Sequence, residues 1–215
     1  MTTSGSEAEK WLNSGLQMSH LNKYAEALKC YNKAIEINPS YDVAWFNKGT
    51  ILAKMQDVNG AIQCFNRAVE IFPKDADYFI NLGMAYGTLR DYKNELIAYQ
   101  KAMQLDCGDN LGTLYFNLAT CLRKLAMNKD ALTYYTKAIE INPYDYEAYH
   151  NKAIVLIKLR ELKPALENLN KAIEISPDPA PSIQLKTIVE ALLLPANKDK
   201  IKEALGYLDV TLMDV

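Results

Sequence analysis

Apolar positions along this chain recur at spacings of three and four, in paired stretches separated by short polar turns. The first pair runs Trp11, Leu12, Gly15, Met18, then Tyr24, Ala27, Leu28, Tyr31, Ala34, Ile35. This spacing predicts two amphipathic helices joined near residues 20–23. Pro39 closes the pair, because proline lacks an N–H and bars the residue before it from continuing a helix. The same pattern returns over 42–75 with Trp45, Gly49, Leu52, Ala61, Phe65, Ala68 and Pro73. It returns again over 76–109, 112–145 and 146–179. Self-similarity at a fixed period is the sequence mark of a solenoid, in which each helix pair buries its apolar face against the next.

The small residues have a packing reason. Gly15, Gly49, Gly83, Ala119 and Ala153 fall where the first helix of each unit meets the second, and a small side chain lets two helix axes approach closely. Ala27, Ala61, Ala131 and Ala165 answer from the second helix, while Ala34, Ala68, Ala102, Ala138 and Ala172 make room for the following unit. The rings of Trp11, Trp45, Phe79, Tyr115 and Tyr149 are expected beside the small residues.

One irregularity interrupts the array. The recurring asparagines Asn13, Asn47 and Asn81 are evenly spaced, but two extra residues precede Asn117 before the spacing resumes at Asn151. The insertion falls in DCGDNLG (106–112), where Cys107 replaces the closing proline. A glycine-containing connection without proline predicts a change in stacking or a mild hinge there, against the alternative of a tolerated surface insertion. After Pro177, Ser182 is expected to cap a helix over 183–194 that covers the end of the array. A second amphipathic segment is expected at about 198–209, with Ile201, Ala204, Leu205 and Leu208 on one stripe. An apolar tail of Val210, Leu212, Met213 and Val215 follows. Residues 1–7 are small and polar and are expected to fray.

Composition narrows the function classes. Apolar residues at 49% and charged residues at 23% are globular values, and a net charge of −2 gives no drive toward phosphate backbones or anionic lipid. The sequence gives no expectation of a signal peptide, of N-myristoylation at Thr2, or of a membrane-inserted segment. Cys30, Cys64, Cys107 and Cys121 lack metal-ligand spacing, and reduced thiols in a cytoplasmic or nuclear protein are expected. No phosphate-binding loop, zinc motif or catalytic constellation is visible. His20 and His150 stand in different units. The expectation is therefore a protein that is not an enzyme and carries no metal or cofactor. No basic stripe interleaves Tyr134, Tyr144 and Tyr146, so nucleic acid is not expected as a partner. Lys54, Lys124 and Lys158 end first helices, where cations complement the helix dipole or form a basic rim for acidic segments.

The 34-residue unit, with its aromatic, small, apolar, alanine, aromatic, alanine and proline positions, resembles the tetratricopeptide repeat. The resemblance covers 8–179 as five units (8–41, 42–75, 76–109, 112–145, 146–179), preceded by 1–7 and followed by capping helices and a tail over 180–215. It implies an all-α, right-handed superhelical solenoid. The departures are Ser14, Lys48 and Lys152 at the usual leucine position, Glu95 for alanine, and Cys107 for proline.

The resemblance also implies a site. In this family the first helices line a concave groove, and Asn13, Asn47, Asn81, Asn117 and Asn151 stand two residues after the ring of each unit, at a position that points into it. An amide offers donor and acceptor, so a ladder of them can pair with the backbone of an extended peptide. The residue before each asparagine (Leu12, Phe46, Ile80, Phe116, His150) and the residue three after (Leu16, Thr50, Met84, Thr120, Ile154) are expected to line the same face and supply specificity. The alternative for the ladder is a repeat default that binds nothing.

Family members that clamp a chaperone's C-terminal carboxylate use a Lys and Arg fork. This chain has Leu12, Leu16 and Asp77, or Phe46, Thr50 and Thr113, or Ile80, Met84 and Glu147 at the corresponding positions, so no such complex is expected. The leading expectation is a scaffold or adaptor that binds a protein or peptide segment in the groove. The alternative is a structural subunit of a larger assembly, held through its convex face and tail.

Overall fold

The computed structural model describes residues 3–193, and their regular structure is helical throughout. The chain divides into two compact units, Met1–Asn110 and Leu111–Val215. The division falls inside 106–112, the segment where the repeat spacing breaks. The first unit contains α1 (Thr3–His20), α2 (Tyr24–Ile37), α3 (Asp42–Lys54), α4 (Val58–Ile71), α5 (Ala76–Thr88) and α6 (Tyr92–Ala102), then a 3₁₀ turn at Gly108–Asn110. The second contains α7 (Leu111–Lys124), α8 (Asn128–Ile141), α9 (Tyr146–Lys158), α10 (Leu162–Ile175) and α11 (Ala180–Leu193).

Each helix pair closes through a local device. The residues Asn22, Gln56, Arg90, Ala126 and Arg160 all have φ between 57° and 66°. The next N–H in each case reaches a carbonyl five residues back: Lys23 to Met18, Asp57 to Leu52, Asp91 to Tyr86, Met127 to Leu122, Glu161 to Leu156. These bonds satisfy the last carbonyls of the first helix. They offset the cost, about 1–2 kcal/mol, of a left-handed backbone at a residue with a Cβ. Where the following helix starts with aspartate, its carboxylate caps it: Asp57 accepts from the Gly60 N–H, Asp91 from Asn94, Asp145 from Ala148. Such a cap contributes about 1 kcal/mol.

Inside each pair, a small residue of the first helix lies under a large side chain sixteen residues later. A Cβ added at Gly15 would stand 2.4 Å from the Tyr31 ring, at Gly49 2.7 Å from Phe65, and at Gly83 2.4 Å from Tyr99. These rings are fully buried. The expectation about rings is thereby corrected. The ring over the glycine comes from the second helix, and Trp11 of the first helix remains 38% exposed. Trp45 instead uses its indole N–H to bond the Pro39 carbonyl at 3.0 Å. In the second unit Ala119 and Ala153 take the glycine position, and Tyr135 and Leu169 the ring position, all buried.

At 106–112 the missing proline is replaced by a buried thiol. Cys107 donates to the Ala102 carbonyl at 3.3 Å, and Gly108 adopts φ 46°. In the second unit, α11 starts 34 residues after α9 and packs on α10. There Leu185 and Val189 join Ala153, Leu156 and Leu169 in one cluster. Ser182 does not cap this helix, contrary to expectation. The helix begins earlier, with the Asp178 carboxylate accepting from the Ala180 N–H, and Pro181 sits in the first turn, where a missing N–H costs nothing. The expected segment at 198–209 and the tail lie outside the described residues.

Gly83→Val forces two methyl groups into the Tyr99 ring and is expected to cost about 3 kcal/mol of stability. Gly108→Val, with open space around it, has no ring to displace and costs only the strain of its backbone. Urea unfolding of the two variants checks the difference.

Candidate functional site

The asparagines of the first unit sit on the first helices at matching places. Asn13 is exposed, while Asn47 and Asn81 are half-buried. Asn47 uses an amide N–H to bond the Val43 carbonyl at 2.8 Å, and Asn81 does the same to Asp77 at 2.9 Å. The back-bond spends one donor and fixes the amide plane. It leaves the carbonyl oxygen and a second N–H for another partner.

Their neighbours separate into two groups. The residues just before the asparagines belong to the packing. Leu12 and Ile80 are buried at 6% and 4% exposure, and Phe46 lies against Phe65 and Tyr78 with ring centroids 5.7 and 4.8 Å away. Tyr78 reaches from α5 to donate to the Asp42 carboxylate on α3 at 2.9 Å, and burial and that carboxylate push its phenol pKa well up. Leu12 and Ile80 thus do not line an open face, because their side of the helix turns toward the neighbouring helices. The residues three positions after the asparagines differ. Leu16 packs against the core cluster, Thr50 is half-buried and Met84 is 49% exposed.

Thr50, Asn81 and Met84 meet at a cavity of about 310 Å³ between α3 and α5, floored by Val58 and Phe65 of α4. Sequence reading had singled out these three. It missed the walls made by Ala53, Gln56 and Thr88, and it placed Lys54 at a helix end without a role in a cavity. Gln56 is the left-handed turn residue, a position that no glycine or asparagine marks between α3 and α4.

In the second unit Asn117 and Asn151 are half-buried, and the Asn117 amide nitrogen is buried with no partner among the described residues. Phe116 packs edge-on to Tyr135 at 6.0 Å, and the Thr120 and Tyr135 hydroxyls are 2.9 Å apart. Ile154 is buried. The His150 ring nitrogen Nδ1 lies 2.8 Å from the Ser182 hydroxyl, tying α9 to α11. Burial, and next the Arg123 charge, hold the His150 pKa below its ordinary value.

A second cavity of about 430 Å³ in the first unit is lined by Asp75, Asp77, Asp106 and Asp109 with Lys74 and Cys107. Asn110 donates to the Asp77 carboxylate at 2.6 Å there. Among the described residues, no group of three or more His, Cys, Asp or Glu is placed to hold a metal ion. No described helix is long and apolar enough to cross a membrane. Burial pushes the Cys30, Cys64 and Cys107 thiols up, away from the thiolate that nucleophilic chemistry needs.

The lowered His150 pKa has a definite sign. The unfolded chain binds a proton near pH 6.5 and the folded chain only at lower pH, so stability falls as pH drops from about 6.5 through the folded pKa. His150→Gln, which removes the titration, is expected to flatten that part of the profile. Thermal melts between pH 7.5 and 5 for the two proteins check this.

Models of the tetratricopeptide repeat match residues 20–56, 43–75, 76–106, 113–145 and 134–167. A search of curated proteins found no match. Among solved structures, the chain is similar to YrrB, described as a TPR protein with an unusual peptide-binding site. The two are 26% identical with a TM-score of 0.74, over 82% of this chain and 90% of that one. It is also similar in fold to PilF of Pseudomonas aeruginosa, at 17% identity and TM-score 0.77 over 97% and 91% of the two chains. MamA of Desulfovibrio magneticus RS-1 gives 15% identity and TM-score 0.73 over 79% and 94%. The repeat spacing, the helix pairs with their small-residue contacts and the matched models agree: this chain belongs to the tetratricopeptide repeat family.

Proposed function

We propose that this protein is a non-enzymatic interaction scaffold that holds an extended peptide segment across the face formed by α3 and α5. Asn47 and Asn81 contact the peptide backbone, and the cavity between the two helices takes one of its side chains. The observation that carries this reading is the convergence of Thr50, Asn81 and Met84 on one cavity of about 310 Å³. A tetratricopeptide protein at 26% identity is described as having a peptide-binding site, which supports the same class of ligand.

The energetics require both parts. A net hydrogen bond contributes about 0.5–1.5 kcal/mol, and micromolar affinity needs about 8 kcal/mol. Burying one apolar side chain adds about 1.5–3 kcal/mol. The back-bonds to Val43 and Asp77 hold the amides in place before a ligand arrives, so less entropy is lost on binding. Asn117 and Asn151 are proposed to act in the same way within the second unit, where the buried Asn117 N–H still lacks a partner among the described residues.

Affinity capture from source cells with wild type and an Asn47→Ala, Asn81→Ala double variant tests the proposal. Two lost hydrogen bonds of about 1 kcal/mol each should weaken a captured partner about 30-fold, with the helical circular dichroism unchanged. Equal capture by both proteins contradicts the groove and favours assembly through other faces.

A further inference from the structure

The α3–α5 cavity carries chemistry that narrows its ligand. Its floor is apolar, with Phe65 and Ala85 buried at 1% and 5% exposure. Its polar walls are turned back on their own helices. Thr50 donates to the Phe46 carbonyl at 3.1 Å, Thr88 to Met84 at 3.0 Å, and Asn81 to Asp77 at 2.9 Å. Both hydroxyl protons and one Asn81 N–H are occupied, so the threonines offer acceptor oxygens and methyl groups, and Asn81 keeps its second N–H for a peptide backbone. The volume lies at the low end of ligand pockets. That suits one large side chain rather than a cofactor. Met84 at the rim is flexible and polarisable, and can follow the shape of what enters.

The charge at the mouth is one-sided. No carboxylate lines this cavity, and Lys54, the last residue of α3, does. The Lys54 ammonium lies 5.9 Å from the Tyr24 ring centroid and is paired with no carboxylate among the described residues. Lys33 of the same unit contrasts with it, holding Glu36 at 2.6 Å. Lys54 stands four residues beyond Thr50, about 6 Å along the helix axis. Alternate side chains of an extended peptide are about 6.6 Å apart. A peptide that places residue i in the cavity can thus bring a side chain one or two positions away to the Lys54 ammonium.

We infer that this cavity is a specificity pocket for a large apolar side chain of an extended peptide that carries Asp or Glu within two residues of that anchor. This rests on the groove reading above and goes beyond it by naming the sequence chemistry of the partner. The acidic group is an internal side chain, and a free C-terminal carboxylate is an outcome against which the test discriminates.

The test is a set of acetylated nonapeptides with Phe, Leu, Ala or Asp at the centre and Asp, Asn or Lys two residues away, each made with an amidated and with a free C-terminus. They are titrated into the full chain and into Lys54→Glu by fluorescence anisotropy. Phe or Leu at the centre is expected to bind about tenfold or more tighter than Ala, and Asp at the centre weaker still. Flanking Asp should bind about fivefold tighter than flanking Lys, and Lys54→Glu should reverse that order. Lys54 is exposed, so the variant keeps its fold, and a matching thermal midpoint verifies it. Binding that ignores the central residue, ignores the flanking charge in both proteins, or appears only with a free C-terminal carboxylate overturns the inference while leaving groove binding in place. If no nonapeptide of any composition binds, the groove reading falls together with the inference.

Discussion

The contact on which this structure depends is the absence of a side chain. Gly15, Gly49 and Gly83 let Tyr31, Phe65 and Tyr99 lie directly on the backbone of the first helix. A ring packed at that distance excludes water from both helices and fixes how far apart they sit, because interiors packed to crystal density tolerate little change in volume. The alanines one turn along each second helix, such as Ala34, Ala68 and Ala102, are fully buried in turn. Each unit thus spends its small residues on its own closure and on the next unit.

That commitment also determines what remains for function. With one stripe of α3 and α5 consumed by rings, the residues before the asparagines are drawn into packing, as the burial of Ile80 and the stacking of Phe46 on Tyr78 show. The neighbouring stripe, bearing Thr50, Lys54, Asn81 and Met84, is left at the surface around a cavity. Asn81 stands beside that apolar cavity and Lys54, its amide held in place by the bond to the Asp77 carbonyl.

Much of the fold was legible in the sequence. The period, the helix pairs, the small-residue positions and the break at 106–112 all follow from local spacing, which repeats make redundant. What was not legible depends on partners distant in sequence or on backbone states that residue type does not announce. The ring over each glycine comes from the second helix, which spacing alone does not announce because both helices carry aromatic residues. Gln56, Arg90, Ala126 and Arg160 hold a left-handed turn without glycine or asparagine to mark it. Ser182 was read as a cap, and the structure gives it to His150 on another helix. At the site, Asn81, Thr50 and Met84 could be named, but not the cavity that unites them, since its walls come from three helices and a turn.

The account stands or falls on where a peptide touches the first unit. Backbone-amide chemical shifts recorded during titration of a bound nonapeptide test this directly. The account predicts that the largest changes cluster at Asn47, Thr50, Lys54, Asn81 and Met84, along one face of α3 and α5. Changes confined to the outward residues of the second helices, such as Arg67 and Ile97, with none around the cavity, would contradict it.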